Sequence, residues 1–270
     1  MPGGRCILIV VHRHGDFNDP GNYVMREMAA MWAEQGHKIV VARGPGPRIE
    51  ADIVINHIDI TVIPVDHLAY FRLYPRVLNG SVVDISKRRI SRQLLKPTSD
   101  HQGPVIAKAN LNAAGMKEAE LAIRGLMPRA YATVFDDYRI FAKLRDVPDD
   151  FWQSPGVVVE PFKPERVGEF YCLRTWIFFG DKETNARSYS VEPIVKGRTV
   201  VKREDMPDVP EELRAIREEL GFDYGKFDYA VCDGEVVLYD VNRTPALGVF
   251  SRDEFMPRMR HYAEGLESYL

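Results

Sequence analysis

The most informative part of this sequence is FDYAVCDGEVVLYDVNRTP, residues 227–245. Two apolar runs flank the pair Asp233-Gly234, and Asp-Gly between such runs is typical of a β-hairpin. The hairpin places Asp228 near the start of the first strand and Asp240 near the end of its antiparallel partner. The sequence therefore predicts a hairpin whose acidic side chains meet at one end.

Three oxygen-bearing side chains of this hairpin form a candidate metal site: Asp228, Asp240 and Asn242. Asp240 and Asn242 are two residues apart, so their side chains point to the same face of the strand. Hard oxygen ligands on one face suit a Mg²⁺ ion that also takes phosphate oxygens. The alternative is that these residues face solvent beside a turn, and the residues alone leave both interpretations open.

The chain begins with a βαβ pattern. The apolar run at residues 6–11 is typical of a strand buried on both faces of a parallel sheet. A helix over 23–34 and a strand over 38–42 follow, so we expect an open α/β sheet whose ligand side lies at the carboxyl ends of its strands. The first loop on that side holds candidates for substrate recognition, which could equally be incidental: His12, His14 and Asp16.

The next part of the chain contains two lysines, one on a predicted helix and one at the end of a predicted strand. The pattern continues with strands over 52–55 and 61–64, a helix over 65–74 and a short strand over 76–79. A basic amphipathic helix is predicted over 83–95 and carries Lys87. A strand then ends in Lys108, and the small polar loop 109–115 after it could let backbone groups approach a ligand closely. Lys87 could instead belong to a solvated basic helix face, and Lys108 could be a strand-end lysine that only extends its ammonium group to solvent.

Composition narrows the class of protein. The chain has 270 residues, a formal charge of −3 and a hydrophobic share of 45%, which together describe an ordered globular protein. This charge gives no global attraction to nucleic acid or anionic lipid, so we expect neither as a partner. The three cysteines have no zinc-site spacing, and no apolar run is long enough for a signal peptide or a membrane span. We expect a cytoplasmic enzyme.

At the hairpin the sequence resembles the ATP-grasp superfamily, in particular its glutathione-synthetase-like and ribosomal-modification-ligase-like members. The shared features are an acid, a hairpin, and a carboxylate-x-Asn followed by a turn with proline, here Asp228, Asp240-Val241-Asn242 and Pro245. The resemblance covers the chain from about Arg76 onward. It implies an α/β class, α+β in the C-terminal part, with three units: an open pre-ATP-grasp-type domain over 1–75, a lid subdomain over 76–158, and a metal-binding subdomain over 159–270.

The resemblance also implies roles for individual residues. Lys87 and Lys108 would contact ATP phosphates, and the hairpin residues would hold Mg²⁺, with Mn²⁺ as a substitute. Two departures stand out: the family usually has glutamate where this chain has Asp240, and its glycine-rich phosphate loop is replaced by Asn110-Leu111-Asn112-Ala113-Ala114-Gly115. Alanine enters left-handed backbone conformations at a greater cost than glycine.

Further nucleotide contacts are implied downstream. Glu160, Pro161 and Phe162 resemble the linker that reads the edge of adenine, and Glu165 or Glu169 would bind the ribose hydroxyls. Arg174 resembles the arginine that faces the γ-phosphate, so Arg174 and Lys108 are the expected catalytic residues. Lys196 could reach phosphate or a substrate carboxylate. The alternatives are a strand exit for the linker, a structural salt bridge for Arg174 and an exposed hairpin charge for Lys196.

The implied activity is an ATP- and Mg²⁺-dependent ligase. It would activate a small-molecule carboxylate as an acyl phosphate for attack by an amine or a thiol. The sequence leaves open a small-molecule kinase on the same scaffold and a nucleotide-binding module without turnover. It allows a homodimer without specifying one.

Overall fold

A computed structural model of the chain describes residues 4–18, 23–136, 138–246 and 252–270, with side chains omitted for 252–254. Its strands form three sheets that follow one another along the chain. The first is parallel, and the other two are antiparallel. The architecture is thus α/β at the N-terminus and α+β beyond it, as expected.

The first sheet has the strand order β2-β1-β3. Its elements are β1 (Cys6–Val11), α1 (Val24–Glu34), β2 (Lys38–Arg43), β3 (Ile53–Asn56) and α2 (Val65–Phe71). β1 is central because its apolar side chains are covered on both faces. This confirms the predicted βαβ unit.

Two predicted strands around the first sheet are wrong. Residues 61–64 and 76–79 make only isolated bridges, Val62 with Asp84 and Ile55 with Leu78. These segments are held instead by single backbone hydrogen bonds, such as Leu78 N–H to the Val54 carbonyl at 2.8 Å.

The second sheet has the order β5-β4-β6. The elements of this region are α3 (Lys87–Ile90), β4 (Val105–Ala109), α4 (Met116–Ile123), β5 (Arg139–Phe141), α5 (Asp149–Gln153) and β6 (Val157–Pro161). β6 extends across the expected subdomain boundary at 158/159, and the division into three units stays a prediction.

The long helix predicted over residues 83–95 is wrong. Only α3, a single turn, is helical, and Ser91 after it is extended. The segment gives its backbone N–H groups to distant carbonyls: Lys87 donates to Asn110 at 2.8 Å and Leu95 donates to Val159 at 2.9 Å. These tertiary hydrogen bonds override the helical pattern.

The loop after β4 adopts a left-handed backbone conformation, which is energetically costly for alanine. Ala113 and Ala114 have φ values of 45° and 58°, and Gly115 follows at 78°. Three successive left-handed residues, two of them with a Cβ, form a strained turn between Lys108 and α4.

The third sheet has the order β10-β9-β8-β11-β12, and β7 pairs with β8. Its region comprises β7 (Glu165–Val167), β8 (Phe170–Phe179), β9 (Lys182–Ser190), β10 (Val200–Asp205), α6 (Glu211–Leu220), β11 (Tyr224–Cys232), β12 (Glu235–Asn242) and α7 (Arg252–Glu264). β11 and β12 are the predicted hairpin.

The third sheet packs on the N-terminal part through one continuous core. Phe179 and Tyr224 share a core with α1 and α7, and the rings of Trp32 and Phe179 lie 5.4 Å apart. Trp32 also donates its indole N–H to the Ala263 carbonyl at 2.8 Å. Across the described parts of the chain, none of the helices combines the length and apolar character that a membrane crossing requires.

Candidate functional site

The β11–β12 hairpin collects polar side chains on one face of the sheet. Asp228 pairs directly with Asp240, and Lys226 pairs with Asn242. Since side chains alternate along a strand, these four side chains share a face. The register then shifts at a bulge that leaves Tyr239 without a partner residue between the pairs Asp228–Asp240 and Tyr229–Leu238.

Lys87 reaches this face from α3. Its Nζ lies 2.8 Å from Asp240 Oδ1, and the residue is only 2% exposed. Burial alone would lower the pKa of the Lys87 ammonium, but the neighbouring Asp240 carboxylate outweighs burial and raises that pKa above its ordinary value. Lys87 is therefore a buried ammonium group, charged at neutral pH, beside the candidate metal site.

Lys108 approaches from β4 in the second sheet. Its Nζ donates to the Tyr239 carbonyl at 3.0 Å and pairs with Glu160 Oε2 at 2.8 Å. The residue is 5% exposed. β4 pairs with β6, so Lys108 and Glu160 are neighbours within one small sheet that faces the hairpin.

A cavity of ≈ 180 Å³ lies between the second sheet and the hairpin. Seven of the predicted site residues line it: Lys87, Lys108, Glu160, Pro161, Phe162, Asp228 and Asp240. They come from four separate segments of the sequence. The structure thus brings the lysine pair, the linker and both aspartates to one place.

Glu160 has an unusual position in this cavity. It is 1% exposed, and its Oε1 atom has no hydrogen-bond partner among the described residues. Its other oxygen accepts from Gln93 Nε2 at 3.4 Å, in addition to the pair with Lys108. One buried carboxylate oxygen is therefore free to accept a hydrogen bond from a ligand.

Lys196 lies at the rim of the cavity and does not line it. Residues 193–195 form part of the wall, while the Lys196 ammonium pairs with Asp136 at 3.0 Å and lies 5.4 Å from the centre of the Tyr138 ring. Tyr138 itself lines the cavity.

Arg174 and Glu165 are not brought into the cavity. Thr175 pairs with Asp228 and donates to Asp228 Oδ1 at 2.9 Å, so Arg174, the preceding residue on β8, points to the opposite face. There it forms a two-pronged pair with Glu165, with contacts of 2.8 Å. Burial works against ionisation of Glu165, but the Arg174 guanidinium, together with the Val231 backbone N–H and Arg187, outweighs burial and lowers the pKa of Glu165. This geometry fits the alternative interpretation of Arg174, a structural salt bridge.

Asn242 shares the face of the aspartates but does not line the cavity. Its Oδ1 accepts from the Thr244 backbone N–H at 2.8 Å and from Thr244 Oγ1 at 3.2 Å. The side-chain oxygen that would serve as a metal ligand is thus engaged in a local turn.

The donor set at the hairpin suits a hard divalent cation. Asp228 and Asp240 present carboxylates to the same cavity, and each already neutralises an ammonium group. Lys226 Nζ lies 2.7 Å from Asp228 Oδ2, and Lys87 pairs with Asp240. Cations therefore already sit at both carboxylates. Within the described residues no cluster of three or more His, Cys, Asp or Glu side chains forms a metal site, so Asp228 and Asp240 would hold Mg²⁺ only together with oxygens from phosphate or water.

Several residues of the site were missed from the sequence. Lys226 is two residues before Asp228, so strand alternation alone could have placed it on the same face. Tyr138 and Tyr239 also line the cavity, but Tyr138 lies in a loop and Tyr239 at a bulge, where periodicity gives no signal.

The predicted recognition residues His12, His14 and Asp16 line a different cavity, of ≈ 190 Å³. It lies at the carboxyl end of β1, as the α/β pattern predicts. His12 stacks on His67 with 5.6 Å between ring centres, and burial, followed by the neighbouring imidazoles, lowers the pKa of His12 to about 4.

Comparisons with known proteins give a match in structure. Neither a protein-family model nor a curated protein sequence matches the chain. The ATP-grasp ligase PsnB, solved with a minimal precursor, superposes with a TM-score of 0.56 at 11% identity, covering 97% of this chain and 98% of PsnB. A RimK domain ATP-grasp protein from Sphaerobacter thermophilus superposes with a TM-score of 0.49 at 12% identity, covering 97% and 98%.

A D-alanine–D-alanine ligase from Bacillus anthracis gives a TM-score of 0.48 at 12% identity, covering 99% of this chain and 96% of that one. At such identities the likeness concerns the fold. The superposition on PsnB spans the N-terminal sheet, the second sheet and the hairpin sheet together. The chain has the fold of the ATP-grasp superfamily.

Proposed function

We propose that this protein is an ATP- and Mg²⁺-dependent ligase that activates a carboxylate as an acyl phosphate for attack by an amine or a thiol. The observation that carries the proposal is the convergence of two buried lysines and two aspartates on one cavity. Lys87 and Lys108 come from one side, and Asp228 and Asp240 come from the other. Ligation by an ATP-grasp enzyme is the activity of PsnB, whose fold the chain shares.

The lysines are suited to a polyphosphate. An ammonium group is a compact point charge that can follow phosphate oxygens, and burial strengthens the attraction. In this structure the two ammonium groups are held by Asp240 and Glu160. We infer that an incoming triphosphate shares them, so that the lysines are already positioned when the ligand arrives.

The aspartates are suited to the cation that accompanies the triphosphate. Asp228 and Asp240 would hold Mg²⁺, which would neutralise phosphate charge. Asn242 is the least favoured member of the predicted set, because its Oδ1 is bound to Thr244.

The linker is suited to adenine. The free Oε1 of Glu160 can accept a hydrogen bond, which the exocyclic amino group of adenine donates. Guanine presents an acceptor at the same ring position, which would face this oxygen unfavourably. Phe162 also lines the cavity and adds an apolar surface for a base.

The reaction proceeds by two displacements. A carboxylate oxygen of the substrate attacks the γ-phosphorus, the bond to the bridging oxygen breaks, and ADP leaves. An amine or thiol then attacks the acyl carbon, inorganic phosphate leaves with the bonding electrons, and the nucleophile loses its proton to solvent or a base. Lys87 and Lys108 offset the charge that develops on phosphate, and no side-chain nucleophile is required.

Product analysis tests this function. The protein is incubated with Mg²⁺, ATP and pooled carboxylates with pooled amines or thiols, and ADP, inorganic phosphate and coupled products are measured together. The proposal predicts equal amounts of ADP, phosphate and a new amide or thioester, all absent with Asp240→Asn. A stable phosphoester without free phosphate would identify a kinase, and ATP binding without turnover would identify a binding module.

A further inference from the structure

The N-terminal part contains a second cavity, of ≈ 190 Å³, that the nucleotide site does not use. Val11 at the end of β1 contributes to its wall, as do His57 and Asp59 just after β3. Lys117 and Glu120 from α4 complete one side.

His57 indicates that this cavity takes a ligand. The residue is 1% exposed, and within the described portion of the chain neither ring nitrogen has a hydrogen-bond partner. The neighbours of the His57 ring are aromatic: the centres of the Tyr23 and Phe17 rings lie 4.9 and 5.5 Å from its centre. Buried polar groups almost always have a hydrogen-bond partner. A ligand in the cavity would supply that partner for the His57 imidazole.

His57 is also uncharged at neutral pH. Burial lowers the pKa of its imidazole to about 4. A neutral imidazole offers one N–H donor and one nitrogen acceptor. It can therefore accept a hydrogen bond from a cationic ligand without repelling it.

Asp59 supplies the charge that selects the ligand. Its carboxylate accepts from the Tyr23 hydroxyl at 2.6 Å and from Thr244 Oγ1 at 2.7 Å, and forms no ion pair within the described ranges. Arg243 is the nearby buried cation, but its N–H groups go to backbone carbonyls such as Ile58 at 3.0 Å. A carboxylate has about four acceptor sites, so Asp59 retains capacity for a further donor.

The other carboxylates of the wall are already paired. Asp16 pairs with Arg43 at 3.4 Å and Glu120 pairs with Arg124 at 3.2 Å, while Lys117 adds one ammonium group. Among the described residues, Asp59 is thus the carboxylate of the wall that remains without an ion pair. We propose that this cavity binds a small primary amine, whose ammonium group is held by Asp59 and donates a hydrogen bond to His57.

Thr244 lies between Asp59 of this cavity and the hairpin that lines the nucleotide cavity. Thr244 Oγ1 contacts both Asp59 at 2.7 Å and Asn242 Oδ1 at 3.2 Å, and Asn242 lies two residues after Asp240 on β12. Under the proposed function, an amine bound at Asp59 would be the acceptor of the ligation, whereas binding itself does not depend on that function.

Binding is tested without nucleotide. The protein is titrated with n-butylamine, butyrate and butyramide, which match in size and differ in charge, and binding is followed by the NMR signal of the His57 imidazole, assigned with His57→Gln. We expect n-butylamine alone to bind and to shift this signal. Asp59→Asn should weaken binding at least about tenfold, because a charge-assisted contact is lost.

Two further variants keep the result interpretable. Glu120 is exposed on α4 and its pair with Arg124 should contribute under about 1 kcal/mol, so Glu120→Gln should fold and should weaken binding roughly threefold. Asp100→Asn, an exposed change outside the cavity, should have no effect. If Asp59→Asn does not fold, the affinity of Glu120→Gln for n-butylamine and the shift of the His57 signal in the wild type test the proposal instead.

The inference is overturned if no probe binds, if butyrate binds as tightly as n-butylamine, or if the affinity for n-butylamine survives the cavity variants. Because ATP is absent, these outcomes leave the nucleotide site untouched. Conversely, an enzyme that fails to ligate can still bind the amine.

Discussion

Lys87 Nζ lies 2.8 Å from Asp240 Oδ1, although 153 residues separate the two along the chain. This pair joins the second sheet region to the hairpin across the proposed nucleotide cavity. A buried ion pair of this kind is weak support for stability, since desolvation offsets much of the attraction. Its position, facing a cavity with Lys108 and Asp228, is better explained by ligand binding.

Lys87→Met separates these two explanations. The change removes a phosphate contact, so the affinity for Mg²⁺-ATP should fall at least about tenfold. Calorimetric titration measures this effect, and circular dichroism checks the fold. Arg89→Met, an exposed change two residues away, is the control and should bind like the wild type. Equal loss in both variants would contradict the role of Lys87.

Glu160→Gln tests base selection. The wild type should prefer ATP to GTP because the free Glu160 Oε1 accepts from the adenine amino group. Glutamine can rotate its amide to donate instead, so the ratio of the two affinities should drop by roughly tenfold. Competition titrations with both nucleotides measure the ratio. An unchanged ratio in the variant removes Glu160 from base recognition.

Arg243 should be essential to stability rather than to nucleotide contact. It is 0% exposed, and it donates to backbone carbonyls of residues 58, 60, 61 and 82. Burial lowers the pKa of its guanidinium to about 10, so it remains charged at neutral pH. Arg243→Met leaves these carbonyls unpaired and should reduce the free energy of unfolding by about 3 kcal/mol.

Urea denaturation measures this change. Arg92→Met provides the control, because Arg92 makes an exposed ion pair with Glu219 that should contribute under about 1 kcal/mol. Similar losses in the two variants would show that Arg243 does not anchor the hairpin to the N-terminal part.

His57 should make stability depend on pH. Its pKa is lowered from 6.5 to about 4, so between these values the unfolded state binds more protons than the folded state. The free energy of unfolding should therefore fall as the pH drops from 6.5 to 4, by about 3 kcal/mol in total from this residue. His57→Gln should remove this part of the slope in denaturation series measured across the same window. Parallel slopes for variant and wild type would contradict the account.

Local patterns predicted the local structure well. The hairpin is signalled by Asp-Gly between apolar runs, and β1 by an unbroken apolar run, so both were predicted from sequence. The prediction of a helix over 83–95 was wrong because backbone N–H groups of this segment donate hydrogen bonds to the carbonyls of Asn110 and Val159. Local sequence patterns do not indicate such long-range hydrogen bonds.

The candidate site was predictable where strand spacing within one hairpin decides it, as for Asp228 and Asp240. Arg174 was expected beside them, but its face depends on the β8–β11 register that sets Thr175 opposite Asp228. That register is a long-range property. His57 and Asp59 were missed for a related reason: their importance depends on a cavity closed by α4.

The most direct test of the central claim is a calorimetric titration with Mg²⁺ and a non-hydrolysable ATP analogue, comparing the wild type with Lys108→Met. The account predicts one nucleotide bound per chain, with affinity weakened at least about tenfold in the variant because a buried phosphate contact is lost. Absence of binding to the wild type, or equal affinity in both proteins, would contradict it.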